Sequence, residues 1–445
     1  MEPSGKKIGL WEAVALAVGT MIGASIFTML GLGAKIAGHN LPLAFVLSGL
    51  LALFVAYSYA NLGARIISNA GPIEFIVRGI GDGVVTGALA ILMWLSYVVS
   101  IALFAKGFAG YFLPLLGLPL TPFWTGVVEI LVVAVFTALN FFGARAVGRA
   151  EFWIVLIKLS VLGFFVVLGV WTIHPEWVIP RLDPESVRGT LFAAAIFFLS
   201  YMGFGLVTNA SEDIEDPEHN VPRAIYLSIA IVGAVYVGVA LVAVGNLPLA
   251  ELVRAEEYAL AEAAKPFLGR FGYALVSLGA LFSISSALNA TLYGGANVAY
   301  ALAREGHLPK TFERKVWFGA VEGLYITALL GLFFALFFDL GGIAGITSSV
   351  FIVIYLFVIL SHYRLIPQGR APGRAGLVLL SFVVVLSTFF VLQYYQFTEK
   401  PKAFWTTMAS FLLALLVEAV YRGATGRVLE VRRVREARAL LRRRW

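Results

Sequence analysis

The feature that most constrains the fold is a series of long apolar segments that fills almost the whole chain. About twelve segments are long enough to cross a bilayer, which takes roughly 20 mainly apolar residues. They lie near residues 9–37, 42–64, 84–113, 122–142, 151–172, 189–211, 223–245, 271–303, 320–338, 343–361, 375–393 and 403–421. Lipid offers the backbone no hydrogen-bond partners, so such segments span the membrane as helices. The sequence therefore predicts an all-α polytopic membrane protein.

The composition argues against several other classes of protein. With 60% hydrophobic and only 13% charged residues, the 445-residue chain leaves no room for a separate soluble domain. It contains no cysteine, which excludes a disulfide framework, a thiol nucleophile and a Cys-ligated metal. The five histidines fall in loops or at span edges, and no carboxylate cluster resembles a metal or phosphate site. We therefore expect neither an enzyme nor a bound cofactor or metal, and the chain has no filter-like loop of the kind found in channels.

The distribution of basic residues predicts the orientation in the membrane. Lys6 and Lys7 lead into the first apolar segment without a cleavage site, so this segment is expected to remain as a span. Segments on the N-terminal side of the membrane, including the arginine-rich tail 422–445, hold most of the Lys and Arg residues. The positive-inside rule then places both termini in the cytoplasm. The tail either acts as this topological determinant or lies on anionic lipid, and nothing around it is typical of nucleic-acid binding.

Two of the apolar segments are interrupted by glycine. One interruption lies within Gly19–Phe27 and the other within Phe197–Gly205. Helix persists poorly through glycine, and the amide and carbonyl groups freed inside the bilayer must find other partners. A matched pair of interrupted spans is the best sequence indication of a transporter's substrate site. The alternative interpretation is that these glycines only allow close packing of helices.

Four motifs in order give the chain a resemblance to a known family. They are Ile22–Phe27, Phe197–Phe204, the loop Pro217–Ile225 and the turn Ala303–Pro309. Together they resemble the amino acid/polyamine/organocation transporter superfamily, and within it the broad-specificity, proton-coupled transporters related to cationic amino acid transporters. The resemblance covers essentially the whole membrane region.

The resemblance implies a leucine-transporter-type architecture. Spans 1 to 5 and 6 to 10 would form two inverted repeats, near residues 9–172 and 189–361, with spans 1 and 6 broken and two extra helices near 375–421. All of these would belong to one transporter domain, residues 1–421, followed by the basic cytoplasmic tail.

The resemblance also implies a binding site for a zwitterion. The positive end of the half-helix that starts near Ser25 would suit a carboxylate, and free carbonyls at both breaks would suit an ammonium. By resemblance, the carboxylate-binding positions are Gly23, Ala24 and Ser25, and the ammonium-binding and gating positions are Met21, Phe198, Leu199 and Met202. Ser25 departs from the family, which more often has glycine at this position.

Lys158 is the other notable residue, because it lies within an apolar span. A lysine at the membrane centre costs roughly 2.5 to 3.5 kcal/mol on insertion scales, which indicates a function or a specific partner. Burial favours the neutral amine and nearby carbonyls favour the charged one, so a conformational change could alter its proton affinity. By resemblance, this fifth-span lysine takes the place of a sodium ion, with Gly19 and Ser283 or Ser286 as partners. The alternative is a structural ammonium that never titrates.

Three further residues bear on proton coupling. Gly205 stands where many relatives carry an acidic residue, which strengthens the case for Lys158. Glu129 and Lys106 are weaker candidates, since structural hydrogen bonding or contact with the membrane surface explains them equally well.

These observations predict a secondary active amino acid transporter in the plasma membrane. We expect sodium-independent symport of amino acid and proton by alternating access, with an exchanger or uniporter as the alternative mechanism and a non-transporting amino acid sensor as the alternative class. The expected partners are an amino acid, a proton and the lipid bilayer, without nucleic acid. The preferred amino acid and the oligomeric state stay open.

Overall fold

A computed structural model describes residues 7–23, 25–68, 71–140, 145–305, 308, 310–315 and 322–425. Within these ranges the protein is helical and has no β-strand, although isolated bridges occur, such as the one between Ile8 and Ile214. The predicted fold class is confirmed. The predicted site residue Ala24, part of the Ala303–Pro309 turn and tail residues 426–445 lie outside the described residues.

Sixteen α-helices occur in the described part of the chain, and they are numbered here in chain order. They are α1 Leu10–Met21, α2 Ser25–Ala37, α3 Leu41–Gly63, α4 Pro72–Ile80, α5 Val84–Leu115, α6 Pro122–Leu139, α7 Arg145–Gly169, α8 Pro184–Phe197, α9 Leu206–Asn209, α10 Pro217–Asn246, α11 Leu249–Ala255, α12 Ala259–Glu305, α13 Glu322–Phe337, α14 Leu340–Leu365, α15 Ala375–Glu399 and α16 Pro401–Thr425.

The helices account for the predicted spans. In the described residues, ten helical stretches are long and apolar enough to cross a membrane, and α1 and α13 are two shorter apolar helices. Each predicted apolar segment overlaps one or two of these helices. The chain is therefore a multi-span membrane protein.

Both predicted interruptions are present. The first span is divided between α1, which ends at Met21, and α2, which begins at Ser25. The sixth span passes from α8 into an eight-residue 3-10 helix, Phe198–Gly205, before it continues as α9. Runs of 3-10 helix longer than three or four residues are uncommon, and within an α-helix they often mark a functional hinge.

The helices differ strongly in how much of their surface is covered by protein. In the most apolar 18-residue stretch of each helix, 72% of the residues of α5 and 78% of those of α14 are buried, compared with 28% for α15 and 22% for α16. The last two helices therefore lie at the periphery, while α5 and α14 belong to the interior that surrounds the interrupted spans.

A helical cap follows α10. It consists of α11 and a short 3-10 helix, Glu256–Tyr258, which packs against α2 and α5. A Cβ atom on Gly31 of α2 would lie 2.4 Å from the Glu256 carbonyl oxygen, so only glycine permits this approach. Glu256 itself has φ of 40°, a strained conformation for a residue other than glycine.

Candidate functional site

The end of α1 is held by side chains from distant helices. The last carbonyl groups of a helix have no partners inside it and must find them elsewhere. Lys158 on α7 is one of these partners, since its Nζ donates to the Gly19 carbonyl oxygen at 2.5 Å. The Lys158 side chain is almost completely buried, with 2% of its residue surface exposed. The structure thus brings together Lys158 and Gly19, two of the predicted coupling residues.

The two predicted serines lie on α12, close to the same end of α1. Ser283 is buried and its hydroxyl lies within hydrogen-bonding distance of the Ile22 carbonyl, at 3.2 Å, and of the Gly23 carbonyl. Ser286 is also buried and lies one turn further along α12. Ser283 therefore contacts the first interruption directly.

Tyr236 on α10 connects the two interruptions. Its buried hydroxyl lies 2.5 Å from the Met21 carbonyl oxygen and 3.1 Å from the Ser200 carbonyl oxygen, and it can donate to one of them at a time. Ser25 Oγ lies 3.5 Å from the same hydroxyl. The interruptions also touch through their backbones, because a Cβ atom on Gly203 would lie only 2.6 Å from the Met21 amide nitrogen.

A cavity of about 200 Å³ opens beside this junction. A single water needs only roughly 10 to 15 Å³ of cavity volume, so the cavity has room for a small organic ligand. Five of the predicted substrate-binding residues line it: Met21, Gly23, Ser25, Leu199 and Met202.

Phe198, the sixth predicted substrate-binding residue in the described chain, lies elsewhere. It does not line the cavity, is 1% exposed and packs edge-on against Tyr355, with ring centroids 5.5 Å apart. Tyr355 is the aromatic residue of this pair that faces the cavity.

Most of the cavity wall was missed by the sequence reasoning. The residues concerned include Tyr59 of α3, Met93, Ser96, Tyr97, Ser100, Leu103 and Phe104 of α5, Thr291 of α12, and Thr347, Phe351, Ile354 and Tyr355 of α14. Their helices carry no matched interruption, so the only indication in the sequence is an isolated polar or aromatic residue within an apolar run. No Asp, Glu, Lys, Arg or His is among the described residues that line the cavity.

Glu129 and Lys106 form an ion pair away from this cavity. Lys106 Nζ lies 3.3 Å from Glu129 Oε1, and the Glu129 side chain is 3% exposed. The pair joins α5 to α6. It gives each of these charged residues a structural partner.

The architecture defines a class of protein: a multi-span membrane protein with a cavity beside two interrupted helices, as in membrane transporters. The sequence profile of the amino acid permease family matches residues 8–417. The chain therefore belongs to the amino acid permease family.

Of three similar proteins, two carry the names of transporters. The chain is 62% identical to an uncharacterized protein of Methanocaldococcus jannaschii, over 96% of this chain and 98% of that one. It is 33% identical to the inner membrane transport protein YbaT of Escherichia coli, over 94% and 96% of the two chains. It is 25% identical to the branched-chain amino acid permease BcaP of Bacillus subtilis, over 93% and 92%.

Proposed function

We propose that this permease imports amino acids across the cell membrane by sodium-independent symport with protons. The family and the named permease among the relatives support an amino acid as the substrate. The cavity supports a small ligand whose charges are met by helix ends, since no charged side chain of the described residues lines it. Both termini would lie in the cytoplasm, in keeping with the distribution of basic residues.

The observation that most supports proton coupling is the contact between Lys158 and Gly19. The charged amine donates to a carbonyl at the end of α1, two residues before Met21, which lines the cavity. Hydrogen bonds from charged donors are roughly twice as strong as neutral ones. Loss of the proton would therefore weaken the attachment of α1 to α7 and couple protonation to movement of the first span.

The ammonium group also supports the proposal that transport needs no sodium ion. A covalently attached cation occupies the space between α7 and the end of α1, where it neutralises the negative end of the α1 dipole. Protonation from outside, substrate binding at the two interruptions and release of both to the inside complete the proposed cycle of alternating access.

Uptake into proteoliposomes tests this proposal. L-Alanine uptake is measured without sodium, with and without an inward proton gradient, for the native protein, Lys158→Ala and Lys35→Ala. Lys35 is an exposed lysine on α2 and serves as the matched control. We expect the gradient to stimulate the native protein and Lys35→Ala, and to have no effect on Lys158→Ala.

Two other outcomes point to the alternatives. Native uptake that ignores the gradient but is accelerated by alanine inside the vesicles indicates an exchanger, and without that acceleration a uniporter. Binding of alanine without any uptake by correctly folded protein indicates a sensor.

A further inference from the structure

The chain just before α1 is bridged to the chain just after the sixth span. The Ile8 amide donates to the Asp213 carbonyl oxygen at 2.8 Å, and the Glu215 amide donates to the Ile8 carbonyl oxygen at 2.9 Å. Ile214, which lies between these two partners, is completely buried and completes a parallel bridge with Ile8. Two backbone hydrogen bonds therefore tie the start of the first span to the end of the sixth.

Ile8 is joined to α1 through an ordered helix cap. Gly9 is the N-cap residue of α1, and its amide donates to Glu12 Oε2 at 2.9 Å. Its carbonyl accepts from the Ala13 amide at 3.0 Å. Capping interactions of this kind fix the backbone at the point where the chain enters a helix. A displacement of Ile8 is therefore transmitted to α1.

The other end of α1 is also attached to the sixth span. Met21, the last residue of α1, approaches Gly203 through its backbone, and its carbonyl shares the Tyr236 hydroxyl with the Ser200 carbonyl. Between its two ends α1 packs against the 3-10 helix of the sixth span and against α9. We call α1 together with residues 198–214 the paired unit, because its two parts are fastened at both ends.

Helix α4 faces the paired unit across one end of the cavity. Pro72 of α4 and Asn209 of α9 both line the cavity, at the end nearest the membrane side on which α1 begins. The Asn209 side chain lies directly against Gly71, the N-cap residue of α4, and α4 packs against α5 and α14. The boundary between the paired unit and the opposite cavity wall therefore passes between Asn209 and the start of α4.

We propose that the Ile8–Ile214 bridge is a clasp that makes α1 and the sixth span move as one unit during transport, and that the cavity opens toward the N-terminal side between Asn209 and α4. This inference rests on the proposed function, in which the contact of Lys158 with α1 is released. With the clasp closed, that release moves the whole paired unit. Without it, α1 would swing alone about the interruption that follows Met21, since a few residues between two helix segments can serve as a hinge.

Cross-linking in the cysteine-free chain tests whether the two parts move together. Ile8→Cys/Ile214→Cys is the first pair and lies within the paired unit, where bridged strands are only about 4.8 Å apart. Pro72→Cys/Asn209→Cys is the matched second pair, across the boundary. Each is linked with a short bifunctional methanethiosulfonate, the link is confirmed by mass spectrometry, and L-alanine uptake into proteoliposomes is measured before linking, after linking and after reduction. We expect linking to change uptake by the first pair less than about twofold and to lower uptake by the second pair at least about tenfold, reversibly.

Glu215→Pro tests the bridge itself. Proline lacks the amide hydrogen that Glu215 donates to Ile8, whereas the control Glu215→Ala keeps this hydrogen and removes an exposed side chain. We expect Glu215→Pro to lower uptake about fivefold, the factor that one hydrogen bond is typically worth, and Glu215→Ala to leave uptake unchanged. Adding the first cysteine pair to Glu215→Pro and linking it should restore uptake, because the covalent link replaces the clasp.

Three results would overturn the proposal. Loss of uptake on linking the first pair would show that α1 and the sixth span must separate during transport. Native uptake by Glu215→Pro, or a loss that linking does not restore, would show that the bridge is not a clasp. Undiminished uptake on linking the second pair would place the opening elsewhere. The first pair and Glu215→Pro decide the role of the clasp even if the second pair is inactive before it is linked. Absence of alanine uptake by the native protein, which is measured first, would instead contradict the proposed function.

Discussion

At the residue scale, the single hydroxyl group of Tyr236 contacts both interrupted spans. Tyr236→Phe removes the donor shared by the Met21 and Ser200 carbonyls and leaves the ring packing in place. We expect a loss of about 1 to 2 kcal/mol in stability, because buried carbonyls lose a partner, together with weaker amino acid binding. Thermal unfolding in detergent and binding of L-alanine measure the two effects.

Tyr201→Phe is the control for this experiment. Tyr201 is also buried, and its hydroxyl donates to the Phe45 carbonyl oxygen at 3.0 Å without lining the cavity. It should lose comparable stability and keep the native affinity for L-alanine. If both variants bind alanine as tightly as the native protein, Tyr236 does not shape the binding site.

A second prediction at the residue scale concerns the Lys106–Glu129 ion pair. Glu129→Gln leaves the Lys106 ammonium with a neutral partner inside the membrane domain, although Glu257 is also within electrostatic range of Lys106. Removing one member of a buried pair usually costs about 3 to 5 kcal/mol, and partial exposure of Lys106 should reduce this to about 2 kcal/mol. Thermal unfolding should show the loss, and it should be largely reversed in the double variant Lys106→Met/Glu129→Leu. Loss of proton-driven uptake in the double variant would instead assign the pair a role in coupling.

At the element scale, the contact between the two interrupted helices depends on glycine. Gly203→Ala would place a Cβ atom 2.6 Å from the Met21 amide nitrogen. This is a backbone atom, so it cannot move away by a change of side-chain rotamer. We expect the interruptions to separate, at a cost of about 1 to 3 kcal/mol, and alanine uptake to fall at least about tenfold. Initial rates in proteoliposomes measure the fall.

Gly205→Ala is the matched control in the same 3-10 segment. The nearest atom to its added Cβ would be Tyr59 Cε1, at 3.4 Å, which is ordinary contact. Its backbone φ of −61° suits any residue. Near-native uptake by Gly203→Ala would show that the transport cycle tolerates a wider junction.

The same elements show how far the sequence alone leads. Span number and both interruptions could be predicted, because hydropathy and glycine act through local rules of helix formation. Tyr236 could not be found this way, because its role depends on how α10 packs against α1. Nothing in the neighbouring sequence distinguishes it from the other tyrosines among the 17 in the chain. The helical cap could not be predicted either, because short helices such as α11 depend on packing against α2 and α12.

At the scale of the whole molecule, the two ends of the transporter differ. Pro72 of α4 and Asn209 of α9 line the cavity, and both lie toward the membrane side on which the N-terminal helix begins. The cap packs on the other side, against α2, and none of its residues 249–258 lines the cavity in the described chain. The described lining of the cavity therefore extends toward the N-terminal side of the membrane and does not reach the cap.

The orientation of the chain decides whether this end of the cavity lies on the cytoplasmic side. Because the chain has no cysteine, single cysteines can be placed without background: Glu176→Cys before α8 and Glu218→Cys at the start of α10 are both exposed and lie on opposite sides of the membrane. With cytoplasmic termini, an impermeant maleimide should label Glu176→Cys on intact cells and Glu218→Cys only after permeabilisation. The reverse pattern would place the termini outside and put the end of the cavity lined by Pro72 and Asn209 on the outer side of the membrane.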